Sequence, residues 1–115
     1  MSSHVKQHVL SIVDTLENPP LLDEMEKYEM GYDEDWEATL SGYDYLTDAL
    51  EVVYIVNGQK EYLGARLLVA YGGPNIYVDT YKGVVEGYWW GDSYSENFTD
   101  NIDLNDACED MYNCN

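Results

Sequence analysis

Near residue 51 the hydrophobic pattern of this 115-residue chain changes its period. Before that point, apolar residues recur three and four positions apart, a spacing typical of amphipathic helices. The first such series predicts an N-terminal helix that ends before Pro19, because proline breaks a helix after its first turn. A second short helix is predicted from the apolar residues of 21–28, with its end near Gly31, and a third over residues 44–50. The first series consists of Val5, Val9, Ile12, Val13 and Leu16.

After residue 51 the pattern favours strands. Residues 52–56 are β-branched or aromatic and are followed at once by Asn57-Gly58, a strong hairpin signal. The partner strand is expected over residues 59–71. Glycine-rich turns then separate further strands at residues 76–80 and 84–90. Four antiparallel strands in a meander are the economical interpretation.

The chain ends in a predicted short helix, over residues 100–112. A length of 115 residues suits one domain with a modest core. We therefore expect a single α+β domain over residues 1–115. It would comprise an acidic helical part (1–51), an antiparallel sheet (52–92) and an acidic C-terminal helix (93–115).

The charge follows this division. The chain has 23 acidic and 5 basic residues, a net charge of -18, yet 45% of it is hydrophobic, which is too much for a disordered acidic tail. Residues 1–51 hold 13 acids and two lysines, and residues 86–115 hold eight acids and no base. The segment between them has a net charge of +1. Such a surface repels nucleic acid and anionic lipid, so the expected partner is a basic surface of another protein.

The two acidic stretches are the candidate partner-binding residues. Carboxylates three or four apart on a helix lie about 5–6 Å from each other, which is comparable with phosphate spacing along a nucleic-acid strand. A plain solvated helix face is the alternative. The predicted binding residues are Glu24, Glu26, Glu29, Asp33, Glu34, Asp35, Glu37, Asp100, Asp103 and Asp106.

Other kinds of site have weaker support. An EF-hand loop beginning at Asp33 or Asp100 would lack its required glycine, so calcium binding is a minor alternative. No nucleophile motif is present, and we predict no catalytic residue, no metal site, no cofactor and no enzymatic activity. The sequence Tyr88-Trp89-Trp90 is typical of strand and core packing. Without a membrane span or a secretory pattern, a cytoplasmic protein with two free thiols, Cys108 and Cys114, is expected.

In size, charge and composition, the chain resembles the small acidic DNA-mimic inhibitors of bacteriophages and mobile elements, including anti-CRISPR and anti-restriction proteins. Gly72-Gly73-Pro74-Asn75, Val78-Asp79-Thr80 and the segment from Gly87 to Asp92 also resemble a block in small uncharacterised phage proteins. The first resemblance implies a protein that acts in a bacterial host cell and blocks a Lys- and Arg-lined DNA channel. A CRISPR surveillance complex is the first expected target and a restriction enzyme the second. A non-mimic acidic adaptor is the alternative of a different class.

Overall fold

The computed structural model describes residues 3–20 and 40–114. Five strands form one antiparallel sheet in the order β1-β2-β3-β4-β5. The predicted α+β class and the meander are confirmed, with helices at both ends of the chain. In chain order, the elements are helix α1 (Ser3–Glu17), helix α2 (Gly42–Thr47), strands β1 (Glu51–Val56), β2 (Tyr62–Ala70), β3 (Asn75–Asp79), β4 (Val84–Trp89) and β5 (Asp92–Asn97), and helix α3 (Leu104–Asn113).

The predicted number of four strands is wrong, because β5 adds a fifth. It occupies residues that the sequence assigned to the end of the sheet and to the C-terminal helical part. Its residues pair with β4 from Val84↔Asn97 to Trp89↔Asp92. Half-buried Tyr94 and Glu96 alternate with exposed serines, so pairing along β4 supports the strand more than apolar burial does. The sheet therefore extends to residue 97 instead of residue 92.

The first hairpin forms where it is predicted, but with a five-residue loop between β1 and β2. The Oδ1 atom of Asn57 accepts hydrogen bonds from the backbone N–H groups of Gln59 (2.9 Å) and Glu61 (3.0 Å). The residue with positive φ is Lys60, at 65°, and not Gly58. The asparagine side chain thus builds this turn, and β2 begins three residues later than predicted.

The helices also differ in part from the prediction. The predicted helix over residues 21–28 lies outside the described residues. The helix predicted over residues 44–50 begins earlier, as α2, because Ser41 and Asp44 form a capping box at its N-terminus. The final helix, α3, begins at Leu104 and not at residue 100.

The three helices pack on one face of the sheet around a single apolar core. Helix α1 packs on β4 and β5, whereas α3 packs on α2 and β2. Alternate residues of β2, β3 and β4 face the helices, as the two-residue period of a strand requires. The fully buried core side chains include Val5, Val9, Leu16, Leu67, Ile76, Val78, Val85, Leu104 and Cys108.

Gly87, in the middle of β4, sets the distance between α1 and the sheet. A Cβ atom at this position would lie 2.7 Å from Cγ2 of Val9 and 2.8 Å from Cγ1 of Val5. Both valines are fully buried. The helix therefore approaches the strand closely because residue 87 has no side chain.

We expect Gly87→Ala to lower the free energy of unfolding by about 1–3 kcal/mol, the usual effect of overpacking a core. The matched control is Gly58→Ala, because a Cβ at residue 58 would meet no atom within 4 Å. Chemical denaturation of both variants measures the difference. Equal stability of the two variants would contradict the close approach of α1 to β4.

Candidate partner-binding surfaces

The segment before α3 joins the other two helices. The backbone N–H of Asn101 donates to the carbonyl oxygen of Leu16 (3.2 Å), and its side-chain amide donates to the carbonyl oxygen of Glu17 (2.8 Å). The N–H of Gly42 donates to the carbonyl oxygen of Ile102 (2.7 Å). The end of α1 and the start of α2 therefore meet one short segment. In this way the described helical parts of the two flanks, residues 3–20, 40–50 and 98–114, form one helical layer.

Most of the excess charge of the described residues belongs to this layer. Residues 3–20, 40–50 and 98–114 contain nine acidic residues and one lysine. Residues 51–97, which form the sheet and its turns, contain six acidic and three basic residues. The sheet is therefore the less charged side, as the sequence indicated, although β5 brings Asp92 and Glu96 into it.

Seven of the predicted binding residues lie outside the described residues: Glu24, Glu26, Glu29, Asp33, Glu34, Asp35 and Glu37. Pro20 and Leu40 bracket this segment, and the N–H of Leu40 donates to the carbonyl oxygen of Pro20 (3.1 Å). The chain thus enters and leaves the segment at one place, beside the helical layer.

The three predicted residues near the C-terminus do not form one helical row. Asp100 precedes α3, and its two carboxylate oxygens accept the N–H groups of Leu104 (2.8 Å) and Asn105 (2.9 Å). Asp103 has a positive φ of 56°, immediately before the helix. Of the three, Asp106 alone lies within α3. The three carboxylates therefore do not share one helical face, because Asp100 caps the helix instead of belonging to it.

The exposed carboxylates on α3 are Asp106, Glu109 and Asp110. The hydroxyl of Tyr43 on α2 donates to the Asp110 carboxylate, and this hydrogen bond raises the pKa of Tyr43. Asp106 stands three residues from Glu109 and four from Asp110, so its side chain is a neighbour of each of them on the helix surface. Glu109 and Asp110 were not among the predicted binding residues. Their exposed positions on α3, together with Asp106, add them to the candidate site.

The face of the sheet opposite the described helices carries a network of one guanidinium, that of Arg66, and two carboxylates. The Nη1 atom of Arg66 lies 2.6 Å from Oε1 of Glu86 and 3.7 Å from Oδ2 of the buried Asp79. The hydroxyl of Tyr88 donates to Oε2 of Glu86 (2.7 Å). Partial burial raises the pKa of Glu86, but the hydrogen bonds from Tyr88 and Arg66 outweigh it and leave that pKa below its usual value.

Two turns at one end of the sheet line an open aromatic groove of about 590 Å³. In a meander the β2–β3 and β4–β5 turns fall at the same end, so residues 71–73 come beside residues 88–93. Tyr71 is 72% exposed and Trp90 is 85% exposed, values that exclude a role for either ring in the core. We call this site the aromatic groove; it is lined by Tyr71, Gly72, Gly73, Asn75, Tyr88, Trp89, Trp90, Gly91, Asp92 and Ser93.

Trp90 lies in an unfavourable backbone conformation. Trp89 pairs with Asp92, so Trp90 and Gly91 alone form the turn, with φ of 51° and 83°. Positive φ at both central residues defines a type I′ turn, in which Asn or Asp normally precedes Gly. A left-handed conformation costs a residue with a Cβ about 1–2 kcal/mol. The predicted packing role holds for half-buried Trp89, which contacts the core, and is wrong for Trp90.

Burial governs the chemistry of the cysteines. Both are free, with Cys108 buried and Cys114 exposed. Burial raises the pKa of the Cys108 thiol to about 11, and the neighbouring carboxylate of Asp100 acts in the same direction. This thiol is therefore protonated at neutral pH and belongs to the core.

The described part of the chain, residues 3–20 and 40–114, contains no group of three or more His, Cys, Asp or Glu side chains arranged to hold a metal ion. It also contains no helix long and apolar enough to cross a bilayer. His4 and His8 are adjacent on α1, with ring centroids 4.7 Å apart.

Comparisons with protein-family models, with curated proteins and with solved structures found no match to this chain.

The conformation of Trp90 predicts how substitutions there affect stability. We expect the free energy of unfolding of the Trp90→Asn variant to be about 1 kcal/mol higher than that of the Trp90→Val variant. Asparagine tolerates the left-handed region, whereas a β-branched residue does not. Both variants lose the edge contact with Trp89, so that loss cancels. Urea denaturation of the pair measures the difference. A valine variant as stable as the asparagine variant would exclude the left-handed turn.

Proposed function

We propose that this protein is an inhibitor that binds the basic, nucleic-acid-binding surface of a bacterial defence complex through its acidic helical layer and blocks access of target DNA. A CRISPR surveillance complex is the first candidate target and a restriction enzyme the second. The observation that carries the proposal is that the described helical parts of both flanks, residues 3–20, 40–50 and 98–114, form one layer with nine acids and one lysine. An excess of acidic residues that served solubility alone would be distributed over both sides of the sheet.

The geometry of α3 supports mimicry of a phosphate backbone. Asp106, Glu109 and Asp110 are exposed on a helix of 10 residues, and neighbours on its surface lie about 5–6 Å apart. Residues 98–114 contain no lysine or arginine that could neutralise them. Lys and Arg side chains placed to bind phosphates would meet carboxylates at a comparable spacing.

An adaptor that does not mimic DNA is the second candidate, and the aromatic groove favours it. Exposed tryptophan and tyrosine are enriched at the centres of protein interfaces. Under this alternative, binding would depend on Tyr71 and Trp90, and the charge would serve solubility. The two candidates therefore place the critical residues on different parts of the molecule.

Charge reversal on α3 tests the inhibitor proposal. We expect Asp106→Lys combined with Glu109→Lys to weaken binding to the target complex at least about tenfold, or about 1.4 kcal/mol, because attractive pairs become repulsive. Both side chains are exposed, whereas Asp100 caps α3 and Asp103 has positive φ, so reversing those two would also perturb the fold. The measurement is competition with target DNA on purified CRISPR surveillance complexes and restriction enzymes.

The matched control reverses Glu51 and Glu61, two exposed carboxylates of the sheet and its first loop. It changes the net charge by the same amount. Asp79 is unsuitable, because it is buried, contacts Arg66 and accepts the N–H of Lys82. Equal loss in both variants would indicate a general effect of net charge. No loss in the α3 variant, together with loss on reversing Glu26, Glu29, Asp33 and Asp35, would move the site to the N-terminal stretch.

The association rate with the target should fall steeply as salt is added. Steering between acidic and basic surfaces is screened within about 8 Å at physiological ionic strength, whereas short-range contacts persist. Stopped-flow or surface-based kinetics at low and high salt measures this effect. A rate that does not change with salt would contradict a mechanism driven by charge.

A further inference from the structure

Two basic side chains of this protein already pack over a tyrosine ring that has a carboxylate near it. The guanidinium of Arg66 lies 4.1 Å from the centroid of the Tyr77 ring and contacts Glu86. The Nζ atom of Lys6 lies 5.5 Å from the centroid of the Tyr94 ring. The Tyr94 hydroxyl donates to Oε1 of Glu96 (2.8 Å). The ring face and the carboxylate both attract a positive charge, so their effects add.

The aromatic groove contains aromatic rings and a carboxylate as well. Tyr71, Tyr88 and Trp90 supply the rings, of which Tyr71 and Trp90 are largely exposed, and Asp92 supplies the carboxylate. The nearby Glu86, which accepts the Tyr88 hydroxyl, already pairs with Arg66. The basic residues of the described chain are Lys6, Lys60, Arg66 and Lys82, and none of them lines the groove.

We propose that the aromatic groove binds an arginine side chain of a partner protein. A planar guanidinium can stack on the exposed face of Trp90 while it donates to a carboxylate, which a compact ammonium does less well. The net charge of -18 attracts a basic segment to this surface and repels nucleic acid, which excludes base stacking as the main use of the rings. A neutral ligand such as a sugar would gain nothing from that charge.

The position of Trp90 agrees with a binding role. Its ring is 85% exposed, so folding gains little from burying it, and its positive φ is unfavourable for a bulky residue. Unfavourable backbone conformations of this kind are concentrated at binding and catalytic sites. The inference does not rest on the proposed function, since it requires an arginine on the partner and not a nucleic-acid channel. The groove and the carboxylates of α3 can therefore be tested separately.

The test uses the full chain and a short peptide of alternating glycine and arginine. The control peptide has citrulline in place of arginine. Citrulline is nearly isosteric with arginine but uncharged. Nitrogen-15 spectra follow the indole N–H signals, and the Trp90→Asn variant assigns the Trp90 signal while preserving the turn. We expect the arginine peptide to shift the signals of Trp89 and Trp90 and to bind about tenfold more tightly than the citrulline peptide, as expected for a cation on an aromatic face.

Variants then separate the groove from general attraction to an acidic protein. We expect Trp90→Asn and Tyr71→Ser each to weaken binding of the arginine peptide several-fold. Tyr81→Ser is the matched control, because Tyr81 is 57% exposed in the β3–β4 turn at the other end of the sheet. It should leave binding unchanged. The α3 variant Asp106→Lys with Glu109→Lys should lower affinity without removing the shifts at Trp89 and Trp90.

Three results would overturn the proposal. The first is equal binding of the arginine and citrulline peptides, which would mean that the charge is not recognised. The second is unchanged arginine-peptide binding by the Trp90→Asn and Tyr71→Ser variants. The third is a shift of the same indole signals by a neutral oligosaccharide but not by the arginine peptide, which would identify a sugar site instead. None of these results bears on whether the α3 carboxylates compete with target DNA.

Discussion

The contact of α1 with β4 at Gly87 is the interaction on which the rest of the structure depends. A chain with a net charge of -18 repels itself when it becomes compact, so its stability must come from apolar burial. Val5 and Val9 supply that burial directly above the glycine, and the end of the same helix binds the segment that leads to α3. Part of the acidic content also helps the fold, because Asp44 and Asp100 accept backbone N–H groups at the starts of α2 and α3. Exposed carboxylates such as Asp106 and Glu109 take no part in these caps.

The pattern of apolar residues predicts which parts of the chain are helix and which are strand, because burial on one face imposes a period. It predicts α1, β1 to β4 and the existence of α3 for this reason. It does not predict that the described helical parts of the two acidic flanks form one layer. That arrangement depends on hydrogen bonds between residues far apart in sequence, such as those from Asn101 to the end of α1 and from Gly42 to Ile102. A spacing of three residues between Asp100, Asp103 and Asp106 likewise cannot reveal that the first of them is a cap.

Strand β5 and the aromatic groove escaped prediction for a common reason. The strand is polar, and its position is fixed by pairing with β4 instead of by an apolar pattern. The turn before it contains Trp90 where asparagine or aspartate is usual, so the residue that starts the turn gives a strand signal instead. Without that turn, residues 71–73 and 88–93 have no reason to be placed together. The groove exists because the β2–β3 and β4–β5 turns share one end of the sheet. A prediction without β5 therefore lacks the second of these turns.

The positions of the exposed acids and of Trp90 are not explained by folding. The last turns of α1, α2 and α3 carry no basic residue, although a cation there would be favourable to the helix dipole by about 0.3–1 kcal/mol. Asp110 instead places a negative charge in the last turn of α3. Trp90 likewise occupies a backbone conformation that a smaller residue would adopt more easily, and its ring stays in solvent. A negative charge at a helix C-terminus and a left-handed tryptophan are each unfavourable locally, although Asp110 also accepts a hydrogen bond from Tyr43. If the two proposals above hold, the carboxylates would meet lysine and arginine and the indole would meet a guanidinium, so that one kind of partner would account for both departures from what folding alone favours.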